Sequence, residues 1–151
     1  GALDLARAGV ERHRPWSALA LRAPHTSGVL VRALLGQGKL AEARAASAPL
    51  AQESANTESR LHRLAVGIDS ARLAAVGAEA ARALGELERI ATEAARHGYR
   101  ATELEARLAH GEVLLGLERE RGRAELSALA AEAGGQGFRW LARRAAEARA
   151  R

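Results

Sequence analysis

Alanine and leucine occupy 38 and 22 of the 151 positions. They recur three and four residues apart, in blocks separated by glycine. Nothing else in the chain constrains its fold as strongly. Alanine is the best helix former and leucine is close behind it, and a 3-4 spacing puts residues on one face of a helix. A β domain would instead draw on Val, Ile, Thr and aromatics. Aromatic residues make up only 3% of the chain: Trp16, Trp140, Tyr99 and Phe138. With 48% hydrophobic and 27% charged residues, the chain can bury a core and does not have the composition of a disordered tail. The expected class is all-α.

Several functions are excluded at this level. The chain has no cysteine, so disulfides, thiolate metal sites and cysteine nucleophiles are ruled out. No apolar run approaches the ~20 residues of a membrane span. The opening GALDLARAGVERH carries charge at Asp4 and Arg7, unlike a secretory leader. The missing initiating Met and the immediate helical periodicity read as a piece of a longer protein, and a cytoplasmic one.

The net charge is +5, from 22 Arg and one Lys against 18 acidic residues. The excess lies at the two ends, while residues 36–115 are nearly balanced. Arg and Glu alternate at helical spacings, as in Glu86/Arg89/Glu93 and Glu103/Arg107, the pattern of solvated helix surfaces. The Arg and Ala content fits a GC-rich bacterial genome.

Along the chain, residues 2–13 read as a short helix, and Pro15 and Pro24 bracket PWSALALRA, which fits a helix or a strand. His25-Thr26-Ser27 can cap a helix over 28–36 with Leu30 and Leu34 inward. A helix over 40–54 follows, with Leu40, Ala43 and Leu50 inward and Pro49 kinking or shortening it. Asn56 or Thr57 caps a helix whose stripe is Leu61, Leu64, Ile68, Ala71 and Ala75. From 78 to 97 the stripe is Ala80, Leu84, Leu87, Ala91 and Ala94, closed by His97-Gly98. From 100 to 117 it is Ala101, Leu104, Leu108, Gly111 and Leu115. ERERGR reads as a charged turn before a helix over 123–133, with Leu126, Leu129, Ala130 and Ala133 inward. GGQG stops that helix, and Phe138, Leu141, Ala142 and Ala145 define the last one. The aromatic Trp140 is expected in the core of this terminal helix.

Three turn-and-helix junctions, GKLAEARAASAPL, GAEAARALGEL and GRAELSALAAEA, each follow Gly with Ala and then with Leu or Ala at helical spacing. Ala43, Ala81 and Ala124 recur at 38 and 43 residues, the range of helical-hairpin solenoids. ALLGQGKLAEARA, residues 33–45, resembles the junction between the two helices of a tetratricopeptide repeat. The stretch from EARLAHGEVLLGLERERGRAELSALAAEAGGQGFRWLARRAAEA is similar to the degenerate terminal repeats of bacterial multidomain regulators and signalling proteins. The spacings exceed the family's unit of about 34 residues, and its Trp and Tyr positions are mostly Leu or Ala here. The resemblance implies an α-solenoid of antiparallel helical hairpins, about three pairs plus a terminal helix, over residues 26–151. Residues 1–25 are then a helical segment of their own or the end of a preceding repeat or domain.

No chemistry-bearing motif survives inspection. Gly-Gly-Gln at 134–136 is shared with peptide-release factors, but it lies between two amphipathic helices, where glycine makes a cap and a turn. GQGK at 36–39 lacks the upstream Gly, the following hydroxyl and the preceding strand of a phosphate-binding loop. His13, His25, His62, His97 and His110 include no i,i+3 or i,i+4 pair that could start a metal site. No catalytic residues, cofactor or metal are expected.

The expected function is a non-catalytic protein–protein interaction scaffold inside a larger bacterial regulatory or signalling protein. In such solenoids the first helix of a pair lines the concave face. This marks Arg60, Arg63 and Ser70 on one helix and Glu103, Arg107 and His110 on another as partner-binding residues. Arg63 and Arg107 are expected to hold a partner carboxylate with their planar forks. Two alternatives stay open. One is a homo-oligomerisation module that buries an Ala/Leu face. The other is a nucleic-acid-associated domain using Arg119, Arg121, Arg123, Arg139, Arg143 and Arg144.

Overall fold

The computed structural model describes residues 24–151, in which every regular element is an α-helix. The expectations for residues 2–13 and for PWSALALRA lie outside the described residues. Seven helices follow one another: α1 Pro24–Gly36, α2 Leu40–Asn56, α3 Arg60–Ala75, α4 Ala80–Arg96, α5 Arg100–Leu117, α6 Arg119–Gly135 and α7 Arg139–Arg149. They pack in sequential pairs, α1 with α2, α4 with α5, α5 with α6 and α6 with α7, and α5 also meets α7. This is the pairwise packing of a helical-hairpin repeat. The chain divides into two compact units, the first ending at Leu73 and the second beginning at Ala74.

One connector is used three times. Gln37-Gly38-Lys39, His97-Gly98-Tyr99 and Gln136-Gly137-Phe138 join α1 to α2, α4 to α5 and α6 to α7. Each central glycine has positive φ, at 71°, 71° and 85°, a region that only glycine enters at no steric cost. The residue after it repeats one geometry: φ −84°, ψ 62° at Lys39, −82°, 64° at Tyr99 and −80°, 59° at Phe138. Its N–H donates back to the ending helix, to the Leu34, Ala94 and Ala133 carbonyls at 2.9, 2.9 and 2.8 Å. This is the six-residue closure of a Schellman motif. The recurrence that matters is therefore Gly38, Gly98 and Gly137. The alanine alignment read from sequence does not hold, because Ala43 is buried while Ala81 and Ala124 are exposed.

In the first unit α1 is described from Pro24 onward, so His25-Thr26-Ser27 lie within the helix and do not precede it. Leu30, Val31 and Leu34 meet Ala43, Leu50, Val66 and Leu73 in one core. Pro49 does not shorten α2, which runs on to Asn56. The cap of α3 is Ser59, whose Oγ accepts from the His62 N–H at 3.3 Å, and not Asn56 or Thr57. On α3, Leu64, Ile68 and Ala71 are buried as expected, but Leu61 is 41% exposed. A second stripe, His62, Val66, Asp69 and Leu73, is buried as well.

The same correction applies in the second unit. The buried stripe of α4 is Ala83, Leu87, Ile90 and Ala94, with Ala80, Leu84 and Ala91 only half-buried. Helix α5 buries Thr102, Ala106, Ala109 and Leu114 besides Leu104, Leu108 and Gly111, and Ala101 is exposed. A helix with three neighbours cannot be described by one stripe. ERERGR is not a turn, because α6 starts at Arg119 after the single connecting residue Glu118. So abrupt a reversal depends on Gly122. A Cβ there would lie 2.6 Å from the backbone nitrogen of Leu115. Leu126, Leu129, Ala133, Leu141, Ala145 and Ala148 complete the core with Leu104 and Leu108. Trp140 is not in it: its side chain is 47% exposed, because α7 turns Leu141, Ala145 and Ala148 inward.

Candidate protein-docking groove

Helices α4, α5 and α6 of the second unit enclose an open groove of about 570 Å³. Its floor is Glu103, Arg107 and His110, which the 4-3 spacing sets on one face of α5. The α4 wall presents Leu87, Ala91, Thr92 and Ala95 between Glu88 and Arg96, and the α6 wall contributes Arg121 and Glu125.

The floor is fixed by ion pairs across the α5–α6 contact. Arg107 reaches Glu132 with both terminal nitrogens, Nη2 to Oε2 at 2.7 Å and Nη1 to Oε1 at 3.1 Å. It also lies 3.6 Å from Glu103. Arg100 binds Glu103 and Glu132, and its Nε donates to Gln136 Oε1 at 2.7 Å. Hydrogen bonds from Arg107 and then Arg100 hold the Glu132 carboxyl down at about 2, far below its ordinary 4.5. The same Glu103 and Glu132 partners raise the pKa of Arg100. Further along, His110 Nδ1 is 2.9 Å from Glu125 Oε2, and Arg121 Nε is 3.7 Å from Glu125 Oε1. Charge-assisted pairs of this kind orient side chains strongly, so the floor is shaped before anything binds.

Of the residues singled out in the sequence, Glu103, Arg107 and His110 come together in this groove. Arg60, Arg63 and Ser70 are exposed on α3 in the first unit, and Arg63 Nη1 donates to the Thr57 carbonyl at 2.6 Å. The partners Glu125 and Glu132 and the small-residue wall of α4 were not found from sequence. Spacing within a helix reveals i,i+4 pairs, whereas Arg107–Glu132 depends on the register between two helices.

Four arginines of the Arg-rich end pair with carboxylates. Arg121 pairs with Glu118 at 3.4 Å, Arg123 with Glu120 at 3.5 Å, Arg143 with Glu147 at 3.6 Å and Arg144 with Glu112 at 3.4 Å. Arg119 donates to the Arg151 carbonyl at 2.9 Å. Arg144 also sits over the exposed Trp140 ring, 5.6 Å from its centroid, a cation–π contact. Among the described residues no group of His, Asp and Glu is arranged to hold a metal ion, and no helix is long and apolar enough to cross a membrane. Compared with protein-family models, curated proteins and solved structures, the chain gives no match.

Proposed function

We propose that this protein is a non-catalytic protein–protein interaction scaffold and that the α4–α5–α6 groove is where it binds. In this reading the hairpins are tetratricopeptide-like repeats of a larger bacterial, cytoplasmic regulator or signalling protein. One observation carries the assignment: the open groove has a pre-ordered floor of Glu103, Arg107 and His110 and a wall of Ala91, Thr92 and Ala95. Small side chains leave room for a docking segment, and fixed charges give it orientation without an ordering cost. The thrice-used connector supports the repeat reading, and the predominance of Arg over Lys supports the bacterial one.

The test is to fill the groove. Thr92 is exposed on α4, so Thr92→Trp should leave stability within about 0.5 kcal/mol, the range of surface substitutions. It should cut capture of protein from lysate of the source organism by about tenfold or more, the effect expected of a clash at an interface core. Equal capture by both proteins, quantified by mass spectrometry, would remove the groove from the binding surface.

A further inference from the structure

The outer face of α4 carries a charge pattern that is complementary to itself. Ala81, Gly85, Glu88, Thr92 and Arg96 are all exposed, and their 4-3-4-4 spacing keeps them on one side of the helix. Other charges of α4 are taken up along the helix: Arg82 by Glu79 at 2.8 Å, and Arg89 by Glu86 at 2.7 Å and Glu93 at 2.8 Å. On the groove's floor and far wall, Arg107 and Arg121 are likewise engaged by acidic partners. Glu88 and Arg96 are different, since neither has an ion-pair partner among the described residues. Two opposite, unspent charges thus stand eight residues apart, about 12 Å along the helix, with Thr92 midway between them.

We propose that the groove's occupant is α4 of a second copy of this chain, antiparallel to the first across a two-fold axis at Thr92. This rests on the reading of the groove as a docking surface and names what fills it. An isologous contact requires that each residue of the patch meet its own complement on the partner. About Thr92, Glu88 meets Arg96 of the second copy and Arg96 meets Glu88 of the second copy, so both charges are matched at once. A parallel arrangement in register would set Glu88 against Glu88 and Arg96 against Arg96. Between the charges, Ala91, Thr92 and Ala95 are short enough to let the two backbones come close. A contact centred on one helix pair is at the small end of specific interfaces, below about 1,200 Å². The dimer is therefore expected in the micromolar range.

Sedimentation equilibrium on the whole chain, over roughly 5–500 μM, reads this directly. The wild type should show a monomer–dimer equilibrium that weakens with added salt, because the matched charges lie at the surface. E88R places like charges opposite each other and should weaken association at least about tenfold. The double variant E88R/R96E exchanges the two charges, keeps the symmetry and should restore association to within about threefold of wild type. Because the chain has no cysteine, T92C supplies a single thiol on the proposed axis. Oxidation should link it into a disulfide dimer on a non-reducing gel, whereas S127C, on the exposed side of α6, should not link. A wild type that stays monomeric throughout, an E88R chain that associates as before, or a double variant no better than E88R would each overturn the proposal. A monomeric chain that still loses capture of some other protein on Thr92→Trp would keep the groove and remove this occupant.

Discussion

Each unit contains an ion-pair cluster that joins two helices, and the two clusters are built on different terms. In the first unit Asp69 of α3 lies 3.2 Å from Arg32 of α1 and 3.8 Å from Arg72, and the Asp69 and Arg72 side chains are 8% exposed. In the second, Arg107 and Glu132 join α5 to α6 with side chains 36% and 33% exposed. The Asp69 and Arg72 side chains of the first cluster have given up nearly all their water. The half-exposed one keeps solvent as an alternative partner. Removing a charge from the first should therefore cost more than removing one from the second, where the loss is little more than a lost contact. The first cluster also shapes the backbone around it: a Cβ on Gly28 would lie 2.3 Å from Asp69 Oδ2.

The largest effect is expected from Asp69→Ala, which takes the carboxylate away from Arg32 and from the buried Arg72. Denaturant unfolding should report a loss of about 3–5 kcal/mol. A loss below about 1 kcal/mol would mean that the two clusters are energetically alike and that burial does not separate them. Next is Gly28→Ala, which forces the carboxylate to move or α1 to shift. Overpacking of this kind should cost roughly 1–3 kcal/mol, and combining it with Asp69→Ala should cost less than the sum, since the clash goes with the carboxylate.

The exposed cluster should register mainly in the pH dependence. Because the Glu132 carboxyl is held down at about 2 in the folded chain, from an ordinary 4.5, its contribution is fully present above about 4.5. It fades as the pH falls from there toward about 2. Partial exposure screens it to about 1 kcal/mol. Thermal melts of Glu132→Gln should therefore fall below wild type at neutral pH and converge with it near pH 2. Parallel curves over that range would show that Glu132 carries no such pairing. The smallest effect is expected at Arg63, which is exposed and whose guanidinium donates to the Thr57 carbonyl. Arg63→Ala should change stability by less than about 0.5 kcal/mol, as melting curves can check.

Much of this architecture was legible in the sequence, and the failures share a cause. Helix positions from α2 to α7 follow from periodicity and glycine punctuation because both are local. The expected stripes hold on α6 and α7, whereas on α4 the buried line is shifted to Ala83, Leu87, Ile90 and Ala94 and on α3 and α5 a second line is buried as well. On α3 the second stripe was present all along as His62, Val66, Asp69 and Leu73, but the polar residues at two of its four positions hid it. Asp69 in particular reads as a surface residue until Arg32, 37 positions away, is seen beside it. The groove's floor was visible as a face of α5, Glu103, Arg107 and His110. Its walls were not, since they depend on how α4 and α6 lie against that face. Trp140 is large and yet exposed, because size does not decide which way a helix position faces. In a terminal helix with Leu141, Ala145 and Ala148 turned inward, the neighbouring position must face outward whatever occupies it.

The repeated glycine connector also bears on how the chain reaches its fold. A three-residue link closes each hairpin at small loop-closure cost, and the principal helix contacts join helices adjacent or nearly adjacent in sequence. Chains dominated by such short-range contacts form them in microseconds to milliseconds. Repeat arrays can begin folding at any unit and extend from there. Gly98 and Gly137, which enter the left-handed region without steric cost, thus bear on how readily each hairpin closes as well as on its final shape.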